Sequence, residues 1–128
     1  MYSTAVIHPS FVQGTLHAPA SKSAMQRACA AALTKQQPVV LHNPGISNDD
    51  LAAIDILKNF GIQVNVAANG TMLLQPNNNT QDIPTLHCGE SGLGIRMFTP
   101  LVAHLPQGIT ITGEGSLLTR PMHFFEHV

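Results

Sequence analysis

The sequence predicts an α/β (α+β) fold built from repeated β-α-β-α-β-β units, one complete unit over about residues 11–76 and part of a second over about 82–128. Three observations predict this fold. Helical apolar patterns alternate with short β-branched runs, an Asn-Gly hairpin pattern closes the first unit, and a strand-then-helix pattern starts again after it. A chain of 128 residues is long enough to bury one core.

The first strand and the first helix are predicted in the opening third of the chain. Residues 11–18 have the extended pattern of a strand, and Pro19 restricts the backbone just before Ser21-Lys22-Ser23. A helix is predicted from about residue 23 to 33, because apolar residues recur there at the spacing of one helix face. The residues on that face are Met25, Ala28, Cys29, Ala32 and Leu33.

A second strand and a second helix follow. Residues 39–42 form a short β-branched run, and Asn43-Pro44-Gly45 is typical of a turn. Asn48-Asp49-Asp50 supplies an N-cap and negative charge for a first helical turn. Apolar residues keep helical spacing over residues 51–60, and Gly61 is suited to end that helix.

A β-hairpin completes the first unit. Residues 62–66 alternate between apolar and polar, Asn69-Gly70 predicts a two-residue turn, and residues 72–74 form the returning strand. The Asn-rich residues 76–81 are then expected to form an exposed connection.

The second unit repeats the strand and the helix. Residues 85–88 predict a strand, and residues 89–92 predict a glycine-rich helix start. Residues 109–112 predict a further strand, and Arg120-Pro121 predicts another helix start because proline is favoured at a first helical position. The apolar face of the intervening helix, which Pro100 is expected to bend, contains Leu93, Met97, Leu101 and Leu105.

The two units are related by a period of 69 residues. Ser23 and Arg27 fall opposite Gly92 and Arg96, with each pair four residues apart at the start of a helix. The second unit would lack most of its second helix and both closing strands. We therefore expect the chain to be part of a longer protein.

Composition and charge exclude several classes of protein. Hydrophobic residues make up 44% and charged residues 10%, and the formal net charge is -1, so no basic field attracts nucleic acid. No stretch approaches the ~18 apolar residues of a membrane span, and the N-terminus lacks a signal-peptide pattern. We expect a cytoplasmic protein without nucleic-acid or membrane partners.

The cysteines and histidines do not predict a metal site. Cys29 and Cys88 are isolated in apolar surroundings, which predicts free buried thiols. The seven histidines show no established ligand spacing with an acidic partner. We expect neither a metal nor a cofactor.

The segment from Ser21 to Arg27 is the strongest candidate site. A helix N-terminus presents unpaired N–H groups, so the hydroxyls of Ser21 and Ser23 with the ammonium of Lys22 predict a phosphate or carboxylate site. Arg27 follows Ser23 by one turn and can reach the same anion. From the spacing alone, an ordinary N-cap with solvated cations is an equally good interpretation.

Two further features are weaker candidates. The glycines of residues 89–94 would let a ligand approach the backbone, although a tight turn with Glu90 near a helix start explains the same pattern. Arg120 stands before a predicted helix start, where a cation is unfavourable unless an anion lies between them. That placement favours a functional role for Arg120 over a surface arginine.

Four motifs stand out when the chain is taken as a whole. They are Ala18-Pro19-Ala20-Ser21-Lys22-Ser23 with Arg27, Ser47-Asn48-Asp49-Asp50, Cys88-Gly89-Glu90-Ser91-Gly92 with Arg96, and Thr112-Gly113-Glu114 through Thr119-Arg120-Pro121. Together they resemble the 5-enolpyruvylshikimate-3-phosphate synthase family, in the family's order and with its separations, and the resemblance covers nearly the whole chain. It implies two globular domains, each built from three β-α-β-α-β-β units, that close over shikimate-3-phosphate and phosphoenolpyruvate.

The resemblance implies a role for each candidate residue. Lys22, Ser23 and Arg27 would contact shikimate-3-phosphate. Lys22, Gly92 and Arg120 would contact phosphoenolpyruvate, so Lys22 would be catalytic and lie between the substrates. The implied reaction transfers the carboxyvinyl group to the 5-hydroxyl and releases phosphate, with the main proton-transfer residues in the other domain.

The resemblance also implies a division of the chain. Residues 1–17 are expected to be an N-terminal strand segment that can belong to the other domain of the full enzyme. Residues 18–128 would form part of the N-terminal substrate-binding domain. The missing C-terminal part of the enzyme would be a partner of this chain, and the full-length enzyme would be a monomer.

Two positions depart from the family pattern. Many members carry Asn-Ala-Gly-Thr where this chain has Glu90-Ser91-Gly92-Leu93. The carboxylate of Glu90 should weaken phosphoenolpyruvate binding unless it is paired or points away. Leu93 removes a hydroxyl from the same turn and adds bulk.

Two alternative functions stay open. One is a non-catalytic nucleic-acid or phosphate-binding module with the same units, although a single Tyr and five Phe provide few stacking residues for RNA. The other is an enolpyruvyl transferase with another acceptor, such as UDP-N-acetylglucosamine. That sister enzyme typically has Lys-Asn where this chain has Lys22-Ser23.

Overall fold

The computed structural model of the protein describes residues 3–35, 37–77, 85–103, 105–123 and 125. Helices and strands alternate along these residues, as predicted. In chain order they are α1 (Lys22–Thr34), β1 (Val39–Leu41), α2 (Asn48–Asn59), β2 (Ile62–Val66), β3 (Met72–Pro76), β4 (Thr85–His87), α3 (Gly92–Val102), β5 (Thr110–Thr112) and a 3-10 helix (Gly115–Thr119). Most of the predicted connection over residues 76–81 lies outside the described residues.

No strand forms in the described residues before α1. Residues 3–19 are exposed, and the apolar side chains of Phe11 and Leu16 are 91% and 83% exposed. The strand predicted over residues 11–18 is therefore absent from this structure. A strand needs a hydrogen-bonded neighbour, and none of the described strands pairs with this segment. The assignment of residues 1–17 to another domain stays a prediction.

Helix α1 begins at Lys22, one residue earlier than predicted. The Ala24 N–H donates a hydrogen bond to Ser21 Oγ at 3.3 Å, so Ser21 caps the helix. The buried face contains mostly small side chains, which allows close packing against both α2 and α3. The predicted apolar face is confirmed by the burial of Met25, Cys29 and Ala32.

Helix α2 is capped by Ser47, whereas the sequence predicts the cap within residues 48–50. The Asp50 N–H donates to Ser47 Oγ at 3.3 Å, and the Ser47 N–H donates to Asp50 Oδ2 at 3.0 Å. This reciprocal arrangement is a capping box, and Asp50 is only 1% exposed. At the other end, Gly61 has a φ of 77° and ends the helix as predicted.

We expect Gly45→Ala to destabilise the protein by about 1–3 kcal/mol. A Cβ at Gly45 would overlap the carboxylate of Asp50, which is buried and hydrogen-bonded to Ser47 and therefore cannot move away easily. Urea unfolding followed by circular dichroism checks this. Gly108→Ala is the control, because a Cβ there meets no atom within 4 Å. Equal stability of the two variants would contradict the expectation.

Three antiparallel strands form the first sheet in the order β1-β3-β2. In the central strand, Leu74 pairs with Val39 on one side and with Val64 on the other, and it is 1% exposed. The predicted hairpin formed by β2 and β3 is confirmed.

The loop of this hairpin differs from the predicted two-residue Asn69-Gly70 turn. The Ala67 N–H donates to Thr71 O at 2.8 Å, and the Gly70 N–H donates to Ala67 O at 2.9 Å, so three residues lie between the paired ends. The predicted turn type needs a positive φ at Asn69, but the positive φ of this loop is at Gly70, 78°. Gly70 thus takes the left-handed position that closes a longer loop.

The second sheet contains β4 and β5, which are parallel and connected through α3. Parallel neighbours need a crossover of this kind. The most buried side chains of α3 include Phe98 and Val102, at 0% and 4% exposure, whereas the predicted face contains Met97 and Leu101, which are only partly buried. The helix is predicted correctly, but its most buried positions lie one residue after the predicted ones.

A 3-10 helix precedes Arg120, and the next described helical residues after it are His123 and Phe125, in a 3-10 turn in which the Phe125 N–H donates to Met122 O at 3.0 Å. The Arg120 N–H donates to Leu117 O at 3.2 Å, so Arg120 ends the 3-10 helix. A cation is favourable at the C-terminal end of a helix. The predicted helix start at Arg120-Pro121 is therefore two residues too early, and Arg120 lies at the C-terminal end of the preceding 3-10 helix, where its charge does not oppose the helix dipole.

The first helices of the two units begin in the same way. Ser21 caps α1 and Ser91 caps α3, and these residues are 70 positions apart, one more than the predicted period. The α-helices of the described residues contain 13, 12 and 11 residues. None of them has the length and the apolar composition that a membrane span requires.

The two units share one hydrophobic core. Leu57 of the first unit and Phe98 of the second are both 0% exposed and belong to the same cluster. Both cysteines are free and buried in this core, as predicted. Burial, with the charge of Asp50 as a smaller cause, raises the pKa of Cys29 to about 12. Burial alone raises the pKa of Cys88 to about 11.

Candidate active site

A surface cleft of about 480 Å³ lies between the start of α1, the first turns of α2 and two segments of the second unit, residues 87–90 and 114–120. Two lining side chains are cations, Lys22 and Arg120. These residues come from motifs far apart in the sequence, and the fold places them in one cleft. Four lining side chains are carboxylates: Asp49, Asp55, Glu90 and Glu114.

Lys22 is the first residue of α1 and lines this cleft. Its Nζ lies 2.9 Å from Asp49 Oδ2, in the first turn of α2. The Lys22 side chain is 55% exposed, so an ammonium hydrogen can still reach an incoming anion. Asp49 therefore holds the ammonium near the cleft without enclosing it.

Ser23 and Arg27 lie on the exposed surface of α1. They are four residues apart and are therefore neighbours on one helix face. Neither lines the cleft that contains Lys22. The structure thus brings Lys22 and Arg120 together and leaves Ser23 and Arg27 on the adjoining helix surface.

Gly92 and Arg120 are in direct contact. Gly92 is the buried first residue of α3, and a Cβ at this position would overlap Nη1 of Arg120. The Nη2 of Arg120 donates to Ser116 Oγ at 3.3 Å. Glycine leaves room for the guanidinium in this position, because a larger residue would displace it.

The carboxylate of Glu90 has a hydrogen-bond partner. Pairing is one of the two conditions, stated above, under which this charge would not weaken binding of an anion. The Ser116 N–H donates to Glu90 Oε2 at 2.9 Å. This bond is the largest cause that lowers the pKa of Glu90 below its ordinary value of 4.5, followed by the Ser116 side chain, and the charge of Arg120 adds to the effect. Glu90 is therefore a carboxylate at neutral pH.

A buried hydrogen bond joins the starts of α1 and α3. Ser91 Oγ donates to Gln26 Oε1 at 2.9 Å and accepts from the Gly94 N–H at 2.9 Å. Gln26 is 0% exposed and Ser91 is 2% exposed. Loss of either partner would leave a buried polar group unpaired. The bond therefore fixes the helix that carries Lys22 relative to the helix that carries Gly92.

Several contacts of this site are not predicted from the sequence. Three of them join segments at least 26 residues apart, so residue spacing carries no signal for those three, and the fourth joins residues four positions apart at the end of the 3-10 helix. Asp49 and Ser91 do lie within quoted motifs, but the sequence pattern places them only at helix starts and does not indicate these contacts. The unpredicted pairs are Asp49 with Lys22, Ser116 with Glu90, Ser116 with Arg120, and Gln26 with Ser91.

Comparison with known sequences identifies related enzymes. A family model described as EPSP synthase (3-phosphoshikimate 1-carboxyvinyltransferase) matches residues 6–125. Relatives named 3-phosphoshikimate 1-carboxyvinyltransferase include those of Clostridium kluyveri, 32% identical over 119 residues, and Methanosarcina mazei, 37% identical over 121 residues. The alignments cover 93% and 91% of this chain but 28% and 27% of the relatives. The chain thus spans about a quarter of their length.

Comparison with solved structures identifies the same fold. EPSP synthase from Acinetobacter baumannii matches with a TM-score of 0.74 at 19% sequence identity, over 89% of this chain and 27% of that chain. This similarity confirms the predicted fold class. Because the family match extends over residues 6–125, the chain belongs to the EPSP synthase family.

Proposed function

We propose that this chain forms one side of the active site of a 3-phosphoshikimate 1-carboxyvinyltransferase. The proposed enzyme transfers the carboxyvinyl group of phosphoenolpyruvate to the 5-hydroxyl of shikimate-3-phosphate and releases phosphate. One observation carries the proposal: in a chain of this family, Lys22 and Arg120 line one cleft, and Gly92 lies against the guanidinium. Motif resemblance assigns these three residues to phosphoenolpyruvate.

The proposed reaction moves charge within the cleft. Phosphoenolpyruvate takes a proton at its methylene carbon, and the 5-hydroxyl attacks the adjacent carbon and loses its proton. Phosphate then leaves with its bonding electrons, while the methyl group gives up a proton and the vinyl group is restored. A fixed positive group accelerates such a step when it stabilises the negative charge of the transition state more than that of the bound substrates.

The two cations of the cleft suit different parts of this reaction. The planar guanidinium of Arg120 can bind two oxygens of a carboxylate or phosphate at once, and its contact with Gly92 gives it a defined position. The ammonium of Lys22 is on a flexible stem and can follow a charge that moves. We therefore propose Lys22 as the catalytic residue and Arg120 as a phosphoenolpyruvate-binding residue.

Ser23 and Arg27 are proposed to contact shikimate-3-phosphate together with Lys22. All three belong to the first two turns of α1, where free backbone N–H groups and the helix dipole favour an anion. Their exposure leaves them accessible from outside the cleft. The acceptor would thus bind along the start of α1, next to phosphoenolpyruvate.

We expect Arg27→Ala to abolish detectable turnover of the complete enzyme, a loss of at least about 10²-fold, because a charged contact to the acceptor disappears. The side chain is exposed, so the variant should fold normally. Steady-state rates and circular dichroism check both statements. Lys35→Ala is the matched control, since it removes a cation from the other end of the same helix. Near-normal turnover of Arg27→Ala would exclude Arg27 from the site.

The described cleft has more negative than positive charge. Its two cations face four carboxylates, and both proposed substrates are polyanions. Repulsion between like charges would oppose binding. We infer that further cations, and the main proton-transfer groups, come from the rest of the enzyme. This chain alone should bind the substrates weakly at most and should not turn them over.

Phosphate release from phosphoenolpyruvate tests the proposed function in the complete enzyme. Release is expected only when shikimate-3-phosphate is present, with the carboxyvinyl product identified by mass spectrometry. Calorimetry should detect binding of shikimate-3-phosphate and none of UDP-N-acetylglucosamine. Phosphate release that does not depend on shikimate-3-phosphate, or a preference for the other acceptor, would overturn the proposal.

We further infer a cytoplasmic, monomeric enzyme that does not bind nucleic acid. Free buried cysteines suit a reducing compartment. The formal net charge of -1 provides no field for a phosphate backbone. RNA retention at low salt, or a dimer of the complete enzyme in size-exclusion chromatography, would contradict these inferences.

A further inference from the structure

Glu90 joins two segments that flank α3. It lies in the turn before this helix, and its Oε2 accepts the Ser116 N–H at 2.9 Å, across a separation of 26 residues in the sequence. Gly115 has a φ of 52°, and a Cβ at this position would overlap the Glu90 carboxyl group. The segment before Arg120 is therefore shaped to accept the carboxylate.

A second hydrogen bond connects the same segment to Arg120. Ser116 Oγ accepts a hydrogen bond from Arg120 Nη2 at 3.3 Å. The Ser116 side chain thus accepts a hydrogen bond from Arg120, while the Ser116 backbone N–H donates one to Glu90. The chain of contacts runs from Glu90 through Ser116 to the guanidinium, which lies against Gly92.

The backbone supports this connection at one other point. The Glu114 N–H donates to Gly89 O at 2.9 Å, next to the carboxylate contact. Farther along the segment, the side chain of Leu117 is 3% exposed and anchors the 3-10 helix in the core. Ser116 lies between these two anchored residues, Glu114 and Leu117. Its described contact with the turn before α3 is the hydrogen bond to Glu90.

We propose that Glu90 is a positioning residue that holds the Ser116 segment and thereby sets the guanidinium of Arg120 against Gly92. Its role in phosphoenolpyruvate binding rests on the proposed function. Glu90 stands where many family members have asparagine, and a carboxylate without a partner would repel an anionic substrate. In this chain the carboxylate is bonded to the segment that carries the binding cation, so its removal disturbs that cation.

The acid dependence of the contact has a defined sign. The pKa of Glu90 is lowered in the folded protein, so the bond contributes fully above the ordinary value of 4.5 and is lost as the pH falls through the lower, folded value. The charged groups that face the carboxyl group are Asp49, which raises its pKa, and Arg120, which lowers it. The Ser116 amide proton should therefore show a titration step below pH 4.5.

Nuclear magnetic resonance of this chain tests the contact without reference to catalysis. Glu90→Ala is expected to speed amide exchange at Ser116 by about three- to tenfold, with Glu90→Gln in between because its amide oxygen can still accept. The Arg120 Nε–H signal should shift in Glu90→Ala. Glu114→Gln is the charge-matched control, since Glu114 lines the same cleft and makes no side-chain cap bond. Unchanged Ser116 and Arg120 signals in Glu90→Ala would overturn the proposal.

Kinetics of the complete enzyme test the consequence for binding, and the sign of the effect is decisive. If Glu90 positions Arg120, Glu90→Ala raises the KM for phosphoenolpyruvate by about three- to tenfold with little change in kcat. If Glu90 acts only as a negative charge, its removal lowers that KM, as Glu114→Gln is expected to do. A lowered or unchanged KM in Glu90→Ala would overturn the proposal. An inactive wild-type enzyme would instead contradict the proposed function, and the Ser116 and Arg120 signals would then decide the role of Glu90.

Discussion

Lys22→Ala is expected to lower carboxyvinyl transfer by the complete enzyme at least about 10³-fold, to below detection in a steady-state assay. The ammonium of Lys22 lies in the cleft 2.9 Å from Asp49 and retains exposed hydrogens for an anionic substrate. Alanine removes this charge where negative charge moves during the reaction. The side chain is 55% exposed, so circular dichroism and the unfolding midpoint should remain close to those of the wild type.

Lys58 provides a matched control for this prediction. Its side chain is also 55% exposed, and its Nζ pairs with Asp55 Oδ1 at 3.0 Å. Lys58→Ala therefore removes the same charge and a similar ion pair and, like Lys22→Ala, takes a cation away from a cleft carboxylate, here Asp55. Lys58 itself does not line the cleft. If Lys22→Ala and Lys58→Ala have similar activities, the ammonium of Lys22 has no special role and its assignment as catalytic residue is wrong.

Elements with local signals are the ones that the sequence predicts correctly. The helix from Lys22 has its cap and its apolar face within a few residues. The hairpin has an alternating strand before Asn69-Gly70 and an apolar strand after it. Even here the local details differ. Ser47 caps α2 through reciprocal hydrogen bonds with Asp50, and Gly70 takes a left-handed position within a three-residue loop.

Elements that depend on distant partners are predicted poorly. Residues 11–18 have the composition of a strand, but the described strands offer them no backbone to pair with. Residues 120–123 have a proline that suits a helix start, yet Arg120 caps the end of the preceding 3-10 helix and the next helical residue is His123, in a 3-10 turn. Composition describes what a segment can form, and tertiary contacts decide what it does form.

The candidate site follows the same division. Resemblance to a family supplies Lys22, Gly92 and Arg120 as site residues, and the fold brings Lys22 and Arg120 to one cleft. Spacing gives no indication that Gly92 and Arg120 touch, because nothing local connects them. The function of Glu90 is likewise invisible in the sequence, since its partner Ser116 lies beyond a whole helix and strand.

Gly92→Ala is expected to raise the KM for phosphoenolpyruvate by about 10- to 150-fold, the range that corresponds to loss of a charge-assisted contact. A methyl group at this position would overlap Nη1 of Arg120. The guanidinium is the far end of a flexible side chain, so it can swing away at little cost to folding. The substrate would then meet a misplaced cation, and the unfolding midpoint of the variant should change little.

A double-mutant cycle distinguishes this cause from a direct clash between the new methyl group and the substrate. If Gly92→Ala acts through Arg120, it should have little further effect on KM in an Arg120→Ala background, because the displaced group is already gone. If the methyl group blocks the substrate directly, the effects of the two substitutions on the free energy of binding should add. Initial rates at varied phosphoenolpyruvate and saturating shikimate-3-phosphate give the required constants. Additive effects would mean that the contact between Gly92 and Arg120 does not set the affinity, and that glycine is needed there only to make room for phosphoenolpyruvate.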